Sequence, residues 1–317
     1  MKIGFIGLGN VGGKLAGCLL RNGFDLTVRD LNQEIVCHFL DKGAKWAESP
    51  KELAEAVELI ITCLPNPAAS ATVMEAEDGV LAGISPGKVW AEMSTTDEEE
   101  VKRLGKMVHE LGGEALDCPV SGGCHRAATG NISIFVGGER SSFEKILPVM
   151  KVLGRRILHT GALGSASVLK VMTNYLATAN LVTLCEALTT AKKAGMDLST
   201  TYEAIRISSG NSFVHETESQ VILNGSRDIN FTMDLVLKDI SLFQAIAERA
   251  GVPLEVSPLL IDIFKDGEER YGSREWSSNI VRRLEDACDT QVIASGFPAE
   301  IVDDEPEGSG TEVVVRR

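Results

Sequence analysis

The first thirty residues carry the pattern that most limits the fold of this chain. A short apolar stretch, residues 2–6, runs into a turn with glycine at Gly7, Gly9 and Gly12. A helical pattern follows, and a second apolar stretch at residues 26–28 ends at Asp30. The order of strand, glycine-rich turn, helix and strand predicts the beginning of a doubly wound parallel sheet, an α/β fold.

The glycine spacing in this turn indicates a dinucleotide site. The outer glycines suit a tight turn and close helix packing, and the middle one lets backbone N–H groups approach a pyrophosphate at the helix N-terminus. Asp30 lies 18 residues after Gly12, close to the spacing of an acid that binds the adenosine ribose. A glycine-rich turn without a ligand and an ordinary strand-end acid are the alternatives. The predicted cofactor-binding residues here are Gly7, Leu8, Gly9, Asn10, Val11, Gly12 and Asp30.

Asp30 also bears on the choice between NAD and NADP. A carboxylate at this position repels a 2′-phosphate, and Leu31 follows where a basic residue would help to bind one. The sequence therefore favours NAD over NADP as the cofactor.

Two further predicted strands, residues 58–64 and 88–93, end in residues that we expect at the same edge of the sheet. Ligands of parallel sheets lie at the carboxyl ends of the strands, so these exits are candidates for cofactor contacts. Residues 94–96, after the second strand, also suit the cap of a helix over residues 97–111, and the two roles can coexist. The first exit supplies the candidate residues Leu64, Pro65 and Asn66.

A second glycine-rich turn follows a predicted strand at residues 114–117. It offers the hydroxyl of Ser121 and the unhindered N–H groups of Gly122 and Gly123, which suit a carboxylate or a similar anion. A plain loop explains the same residues equally well.

The stretch from Gly161 to Asn174 reads as a turn that feeds a long helix. Lys170 and Asn174 are four residues apart and therefore share one helical face. A lysine in a closed pocket can have its pKa lowered and then donate or accept a proton. We therefore take Lys170 as the residue that carries the chemistry.

The chain changes character after Gly164. The helical pattern from Ser165 approaches thirty residues, which suggests a spine between two domains, and helices predominate after it. We predict a dinucleotide-binding domain over residues 1–162 and a helical substrate and oligomerisation domain over residues 163–290. Residues 291–317 are acidic and lack periodicity, so we expect a disordered tail.

Composition excludes several classes of function. The net charge is −14, so a duplex-binding surface is not expected, and there is no apolar run of 18 residues that would span a membrane. The start of the chain lacks the features of a signal peptide. Seven cysteines occur without a metal-ligand spacing, so we predict reduced thiols in the cytoplasm and no bound metal.

Taken together, these motifs resemble those of the β-hydroxyacid dehydrogenase family over about residues 1–290. Residues 117–123 resemble its substrate motif, residues 161–174 its catalytic motif and residues 238–242 its C-terminal motif. The resemblance implies a Rossmann domain and a helical domain with the active site in the cleft between them. It also implies Lys170 as the catalytic acid or base and a homodimer or homotetramer. The implied substrate residues are Ser121, Gly122, Gly123 and Asn174, and Thr95 and Lys238 are implied beside the nicotinamide.

Lys238 and Asp239 also fit a simple solvated ion pair, and only the resemblance favours a role in the site. The chain departs from the family pattern at three positions. Cys118 replaces the usual alanine, Ala166 a glycine and Thr173 an asparagine. Thr173 bears on substrate hydrogen bonding rather than on the lysine. We expect an NAD-dependent oxidoreductase that interconverts a small 3-hydroxy acid and its semialdehyde. A dinucleotide-binding scaffold or sensor without catalysis is the alternative.

Overall fold

The computed structural model describes residues 1–315 and divides into two units. A ten-stranded sheet forms the centre of the first unit. The first unit contains residues 1–170 and the segment from Asp303 onward, and the second contains residues 171–302. The division by contacts thus falls after Lys170 and Val302, and the functional boundaries predicted after residues 162 and 290 stay predictions. Helix-forming residues up to Lys170 belong to the first unit because side chains of that unit hold the start of the helix, as described below.

The strands have short, largely apolar sequences. They are β1 (Ile3–Ile6), β2 (Leu26–Arg29), β3 (Lys45–Trp46), β4 (Leu59–Thr62), β5 (Val89–Glu92), β6 (Glu114–Asp117), β7 (Val120–Ser121), β8 (Ile132–Gly137), β9 (Gly154–Gly161) and β10 (Thr311–Glu312). Their order is β10-β9-β8-β6-β5-β4-β1-β2-β3, and β7 pairs with β8. The run from β6 to β3 is parallel, whereas β8 pairs antiparallel with β6.

The helices of the first unit cover both faces of the sheet. They are α1 (Gly12–Arg21), α2 (Gln33–Leu40), α3 (Pro50–Ala56), α4 (Pro67–Glu75), α5 (Val80–Gly83), α6 (Glu98–Glu110), α7 (Gly123–Thr129) and α8 (Arg140–Leu153). Alternate residues of β4 enter different cores, with Ile61 in one cluster and Ile60 in the other. Burial on both faces explains why the parallel strands are continuously apolar.

The second unit is helical and is built around a separate apolar core. Helix α9 (Ser165–Lys193) begins in the first unit and continues into the second. It is followed by α10 (Leu198–Arg206), α11 (Phe213–Asn224), α12 (Met233–Arg249), α13 (Val256–Tyr271), a 3₁₀ helix (Ser277–Val281) and α14 (Arg282–Cys288). The predicted doubly wound sheet followed by a helical part joined by a long helix is thus confirmed. Among residues 1–315, no helix is long and apolar enough to cross a membrane.

The predicted disorder of the acidic tail is wrong for the segment from Asp303 to Val315. This segment belongs to the first unit, and β10 adds to the sheet parallel to β9. Its acidic groups meet donors and bases of that unit, in the pairs Asp303–Asn131, Glu305–Arg155, Glu307–Asn22 and Glu312–Arg140. Earlier in the predicted tail, Val292 is fully buried and its N–H donates to Glu285 at 2.7 Å. Residues 316 and 317 lie outside the described residues.

Candidate active site

Five neighbouring parallel strands end level with one another at one edge of the sheet. Their last residues are register partners in the order Arg29, Ile6, Thr62, Glu92 and Asp117. The chain continues from these ends into the predicted cofactor and substrate segments of the first unit. The structure therefore brings these segments to a single edge, where ligands of doubly wound sheets bind.

The glycine-rich turn fits a dinucleotide. A side chain at Gly12 would place its Cβ 2.0 Å from the carbonyl oxygen of Gly7, so internal packing requires glycine there. At Gly9 a Cβ would meet nothing within 4 Å, so packing within the chain gives no reason for glycine. Helix α1 begins at Gly12 without a side-chain cap, and the N–H groups of Gly13 and Lys14 donate to the carbonyls of Gly9 and Val11, at 2.8 and 3.0 Å. The positive end of the helix dipole at this terminus favours an anion. The open space at Gly9 and this helix N-terminus suit a pyrophosphate.

Asp30 is tied to this turn. Its Oδ2 accepts a 2.6 Å hydrogen bond from the N–H of Leu8, and its Oδ1 accepts one of 2.8 Å from Asn32. Each oxygen retains a lone pair that can accept from a ribose hydroxyl. Leu31 is 94% exposed, and the guanidinium of Arg29 stacks 4.9 Å from the ring centre of Trp46. The carboxylate is thus fixed beside the glycine-rich turn, and the adjacent cation is engaged elsewhere.

The exits of β4 and β5 are linked by a buried hydrogen-bonded chain. The N–H of Leu64 donates to the hydroxyl of Ser94 at 2.7 Å, and that hydroxyl donates to Glu92. The N–H of Ser94 also donates to the same Glu92 oxygen, at 2.9 Å. Burial raises the pKa of the Glu92 carboxyl, while the donors from Ser94 lower it. These hydrogen bonds fix the two segments that contain the predicted cofactor contacts, which are Leu64, Pro65 and Asn66 after β4 and Thr95 after β5.

The helix-cap interpretation of residues 94–96 is wrong. Helix α6 starts at Glu98, and its cap is Asp97, whose carboxylate accepts the N–H of Glu99 at 2.8 Å. Asn66 does cap a helix, because its side chain accepts the N–H of Ala69 at the start of α4. Ser94 instead acts as the link just described, so its hydroxyl holds two strand exits together.

The predicted substrate turn is partly strand. Val120 and Ser121 form β7, which pairs antiparallel with β8, and the chain then turns through Gly122 and Gly123 with φ of 130° and 87°. These positive φ values favour glycine over any other residue. Ser121 is half-buried and Gly123 is exposed, so a small anion can reach both.

Lys170 lies in the first unit and is 7% exposed. It stands on α9, three residues after Ser167, whose N–H and hydroxyl both bond to the Asp117 carboxylate, at 2.7 and 2.9 Å. Asp117 directly precedes the segment that contains Ser121. The predicted substrate turn therefore follows β6 directly in the chain, and the helix of Lys170 is hydrogen-bonded to the last residue of β6.

Two predicted site residues, Asn174 and Lys238, lie in the second unit. The Asn174 amide donates to one oxygen of Asp239, and the Lys238 ammonium lies 3.0 Å from the other. Asp239 is 2% exposed, so the interpretation as a solvated ion pair is wrong. Within this unit Asp239 holds both predicted residues in one cluster.

Sequence reasoning missed the buried acids and the hydroxyl that organise these segments. Asp117, Glu92 and Asp239 were motif or strand-end residues without an assigned role, and Ser94 was a candidate cap. The available signal was position, since Glu92 and Asp117 end apolar strands where a charged residue is unusual. Among residues 1–315, no group of three potential ligands could hold a metal ion.

Comparison with known proteins divides the chain near the predicted boundary after residue 162 rather than after Lys170. Residues 2–161 match the family model of the NAD binding domain of 6-phosphogluconate dehydrogenase. Residues 164–284 match that of the NAD-binding domain of NADP-dependent 3-hydroxyisobutyrate dehydrogenase.

Individual proteins match over almost the whole chain. The 2-(hydroxymethyl)glutarate dehydrogenase of Eubacterium barkeri is 34% identical, with 92% of this chain and 97% of that protein covered. The NAD-dependent L-serine dehydrogenase of Pseudomonas aeruginosa is 31% identical, with 92% and 99% covered. The crystal structure of 3-hydroxyisobutyrate dehydrogenase from Salmonella typhimurium superposes with a TM-score of 0.81 at 26% identity, and it covers 89% of this chain and 99% of that one.

The fold and the glycine-rich turn define an oxidoreductase that uses a nicotinamide dinucleotide. Both domains match family models, and a relative is 34% identical over nearly the whole chain. The protein belongs to the β-hydroxyacid dehydrogenase family.

Proposed function

We propose that this protein oxidises a small 3-hydroxy acid to its semialdehyde, or catalyses the reverse reduction, with NAD as cofactor and Lys170 as general acid and base. One observation carries the proposal. The buried lysine stands one helical turn after a residue anchored at the same sheet edge that bears the glycine-rich turn and the Ser121 turn. Membership of a dehydrogenase family favours this function over a scaffold without catalysis.

Residues of the first unit would hold the cofactor. The N–H groups at the start of α1 would bind the pyrophosphate beside Gly9, and Asp30 would accept from the ribose hydroxyls. The segments of Leu64, Pro65 and Asn66 and of Thr95 would face the nicotinamide half, with Lys238 as a further contact. When bound, the nicotinamide ring accepts a hydride during oxidation and supplies one during reduction.

NAD is favoured over NADP by the charges around Asp30. Its carboxylate would repel a 2′-phosphate, and Leu31 offers no positive charge to offset this. Arg29 is stacked on Trp46. The relative from Pseudomonas aeruginosa is itself named as NAD-dependent.

The names of the three relatives suggest a substrate class. Serine, 3-hydroxyisobutyrate and 2-(hydroxymethyl)glutarate all carry a hydroxymethyl group on the carbon next to a carboxylate. We assign the same arrangement to the substrate of this protein. Ser121, Gly122 and Gly123 would bind the carboxylate through hydroxyl and N–H donors, and Asn174 is the further substrate residue that the family resemblance implies.

Lys170 would handle the proton of the substrate hydroxyl. In oxidation the neutral amine takes this proton as the alcohol carbon loses its hydride, and in reduction the ammonium returns it to the new alkoxide oxygen. Burial of the side chain limits exchange of this proton with bulk water. Such acid and base assistance contributes on the order of 10² to 10⁴ in rate.

The substrate class can be tested with a matched panel of alcohols. We expect reduction of NAD, followed by the absorbance of the reduced cofactor, with acids that bear a hydroxymethyl group next to the carboxylate. The methyl esters of the same acids lack the charge and should turn over much more slowly. A Ser121→Ala variant should raise KM for the acid and leave the affinity for NADH unchanged. Equal rates with acids and esters would contradict the proposal. The cytoplasmic location and the homodimer or homotetramer expected from the sequence stay predictions.

A further inference from the structure

Asp117 is a fully buried carboxylate at the end of β6 that bonds to the start of α9. Its Oδ1 accepts the N–H of Gly164 at 2.9 Å, and its Oδ2 accepts both the N–H and the hydroxyl of Ser167, at 2.7 and 2.9 Å. The two oxygens thus accept hydrogen bonds from N–H groups at the start of the helix that have no partner within the helix itself. Lys170 follows Ser167 by three residues, about one turn of helix.

Asp117 also directly precedes the segment that leads into the Ser121–Gly123 turn. The chain after Asp117 is held by the N–H of Cys118 on the carbonyl of Glu92, at 2.6 Å, and by the carbonyl of Pro119, which accepts the N–H of Phe135 at 3.0 Å. Strand β7 then pairs with β8 up to Ser121. Only three residues lie between Asp117 and Ser121, and backbone hydrogen bonds hold all three. The position of Asp117 therefore determines the position of the turn.

The surroundings of the carboxylate leave it little freedom. A side chain at Gly137 would place its Cβ 2.3 Å from the Asp117 Oδ1 and 2.9 Å from the carbonyl of Ala162. Next to the carboxylate, the hydroxyls of Thr160 and Ser165 bond to each other at 2.6 Å. Burial raises the pKa of the Asp117 carboxyl, and the donors from Gly164 and Ser167 oppose that shift because they favour the ionised form.

We propose that Asp117 is a positioning residue that sets the helix carrying Lys170 in register with the Ser121–Gly123 turn. The proposal rests on the proposed roles of Lys170 and Ser121 and adds a residue that acts through them. A purely structural residue would lower stability without a specific effect on turnover. A positioning residue lowers kcat in folded protein, because small misplacements of reacting groups reduce rates strongly.

Two substitutions disrupt the hydrogen bonds of Asp117 to different extents. Asp117→Asn keeps the shape but puts an amide N–H₂ where one of the donors needs an acceptor. Ser167→Ala removes only the hydroxyl bond and leaves both N–H bonds in place. We expect kcat to fall about 100-fold in the first variant and about tenfold in the second, with the Kd of NADH within threefold of wild type in both.

Asn131→Ala provides a matched control for stability. Asn131 is 2% exposed, and its amide donates to Asp303 and to the carbonyl of Glu305, both at 2.7 Å and in the same unit. This variant should lower the unfolding temperature and keep the wild-type kcat. If Asn131→Ala lowers kcat as much as Asp117→Asn does, the loss follows stability and the proposal is overturned.

A double variant separates this proposal from the proposed function. In a Lys170→Met background, Asp117→Asn should have no further effect on the rate, because the group that it positions is gone. Wild-type rates in Lys170→Met alone would refute the role of the lysine. A low rate in Lys170→Met with wild-type kcat in folded Asp117→Asn, or in Ser167→Ala if the aspartate variant does not fold, would overturn only the positioning role. Additive losses in the double variant would overturn it as well.

Discussion

The backbone N–H of Leu64 donates a 2.7 Å hydrogen bond to the hydroxyl of Ser94, which joins the exits of two neighbouring strands. The hydroxyl in turn donates to Glu92, a buried acid. Because Leu64 is the first of the predicted cofactor contacts Leu64, Pro65 and Asn66, this bond connects a side chain at the end of β5 to the predicted cofactor segment at the end of β4.

Removal of this hydroxyl should weaken cofactor binding. In Ser94→Ala the N–H of Leu64 loses its partner, which costs about 1 kcal/mol or more for a buried donor and corresponds to a Kd for NADH raised about fivefold or more. Fluorescence titration of NADH measures this change. Ser142→Ala, another buried serine of the first unit on α8, is the control and should bind normally. Unchanged affinity in Ser94→Ala would show that the link does not support the cofactor segment.

Asp30 should determine the preference between the two dinucleotides. Replacement by alanine removes the repulsion of a 2′-phosphate, about 2 kcal/mol for a doubly charged group near 4 Å in water, or about 30-fold in the ratio of kcat/KM for NADP over NAD. Loss of the bond to Leu8 affects both cofactors, so the ratio is the informative measurement. Asp25→Ala, an exposed acid that precedes β2, should leave the ratio unchanged. A ratio unchanged in Asp30→Ala would contradict the assignment.

The tail should stabilise the first unit. A chain that ends at Val302 loses strand β10 and leaves the buried amide of Asn131 without Asp303 and Glu305. We expect its free energy of unfolding in urea to be lower by about 2 kcal/mol or more, since a buried unsatisfied donor alone costs about 1–3 kcal/mol. A chain that ends at Val315 keeps the described contacts and is the control. Equal stability of the two truncated chains would show that the tail only rests on the surface.

His215 should make the second unit sensitive to acid. It is 1% exposed, its Nε2 lies 2.9 Å from the carbonyl of Tyr202, and burial lowers its pKa below the usual 6.5, an effect that the bond to Tyr202 opposes. As the pH falls through 6.5, His215 becomes protonated in the unfolded chain but stays neutral in the folded chain. The free energy of unfolding therefore keeps its full contribution from His215 above pH 6.5 and decreases as the pH falls towards the lowered pKa. Each pKa unit between the folded and the unfolded state corresponds to about 1.4 kcal/mol in the free energy of unfolding.

The comparison of wild type with His215→Gln, which keeps a donor, isolates this effect. We expect the variant to lose less of its unfolding temperature between pH 7.5 and pH 5 than wild type does. His38→Gln, at an exposed histidine of α2, should follow wild type. The same acid sensitivity in His215→Gln and wild type would assign it to other groups.

Most of the fold could be predicted because its signals are local. The apolar runs that became β1, β4 and β5 bury both faces, and their pattern is visible within a few residues. The start of α3 has a signal of the same local kind, because the Ser49 hydroxyl accepts the N–H of Glu52 at 3.1 Å and Pro50 lies in the first turn. Strands of two residues, such as β7, have too little pattern to be recognised.

The errors came from contacts between residues far apart in the chain. Glu307 accepts a hydrogen bond from Asn22 across more than 280 residues, and arginines of the first unit pair with the acids of a segment that looked disordered. Asp117 likewise bonds to Ser167, fifty residues later in the chain, which ties the first turns of α9 to the first unit, so the division by contacts falls after Lys170. No local pattern reports such pairings.

In the proposed reaction, the amine of Lys170 transfers the proton of the substrate hydroxyl. The most direct test compares the kcat of Lys170→Met with that of Lys192→Met, an exposed lysine on the same helix, at saturating NAD and hydroxy acid. We expect a kcat lower by about 10² to 10⁴ in Lys170→Met with the affinity for NADH retained, and wild-type kcat in Lys192→Met. A kcat within threefold of wild type in Lys170→Met would contradict it.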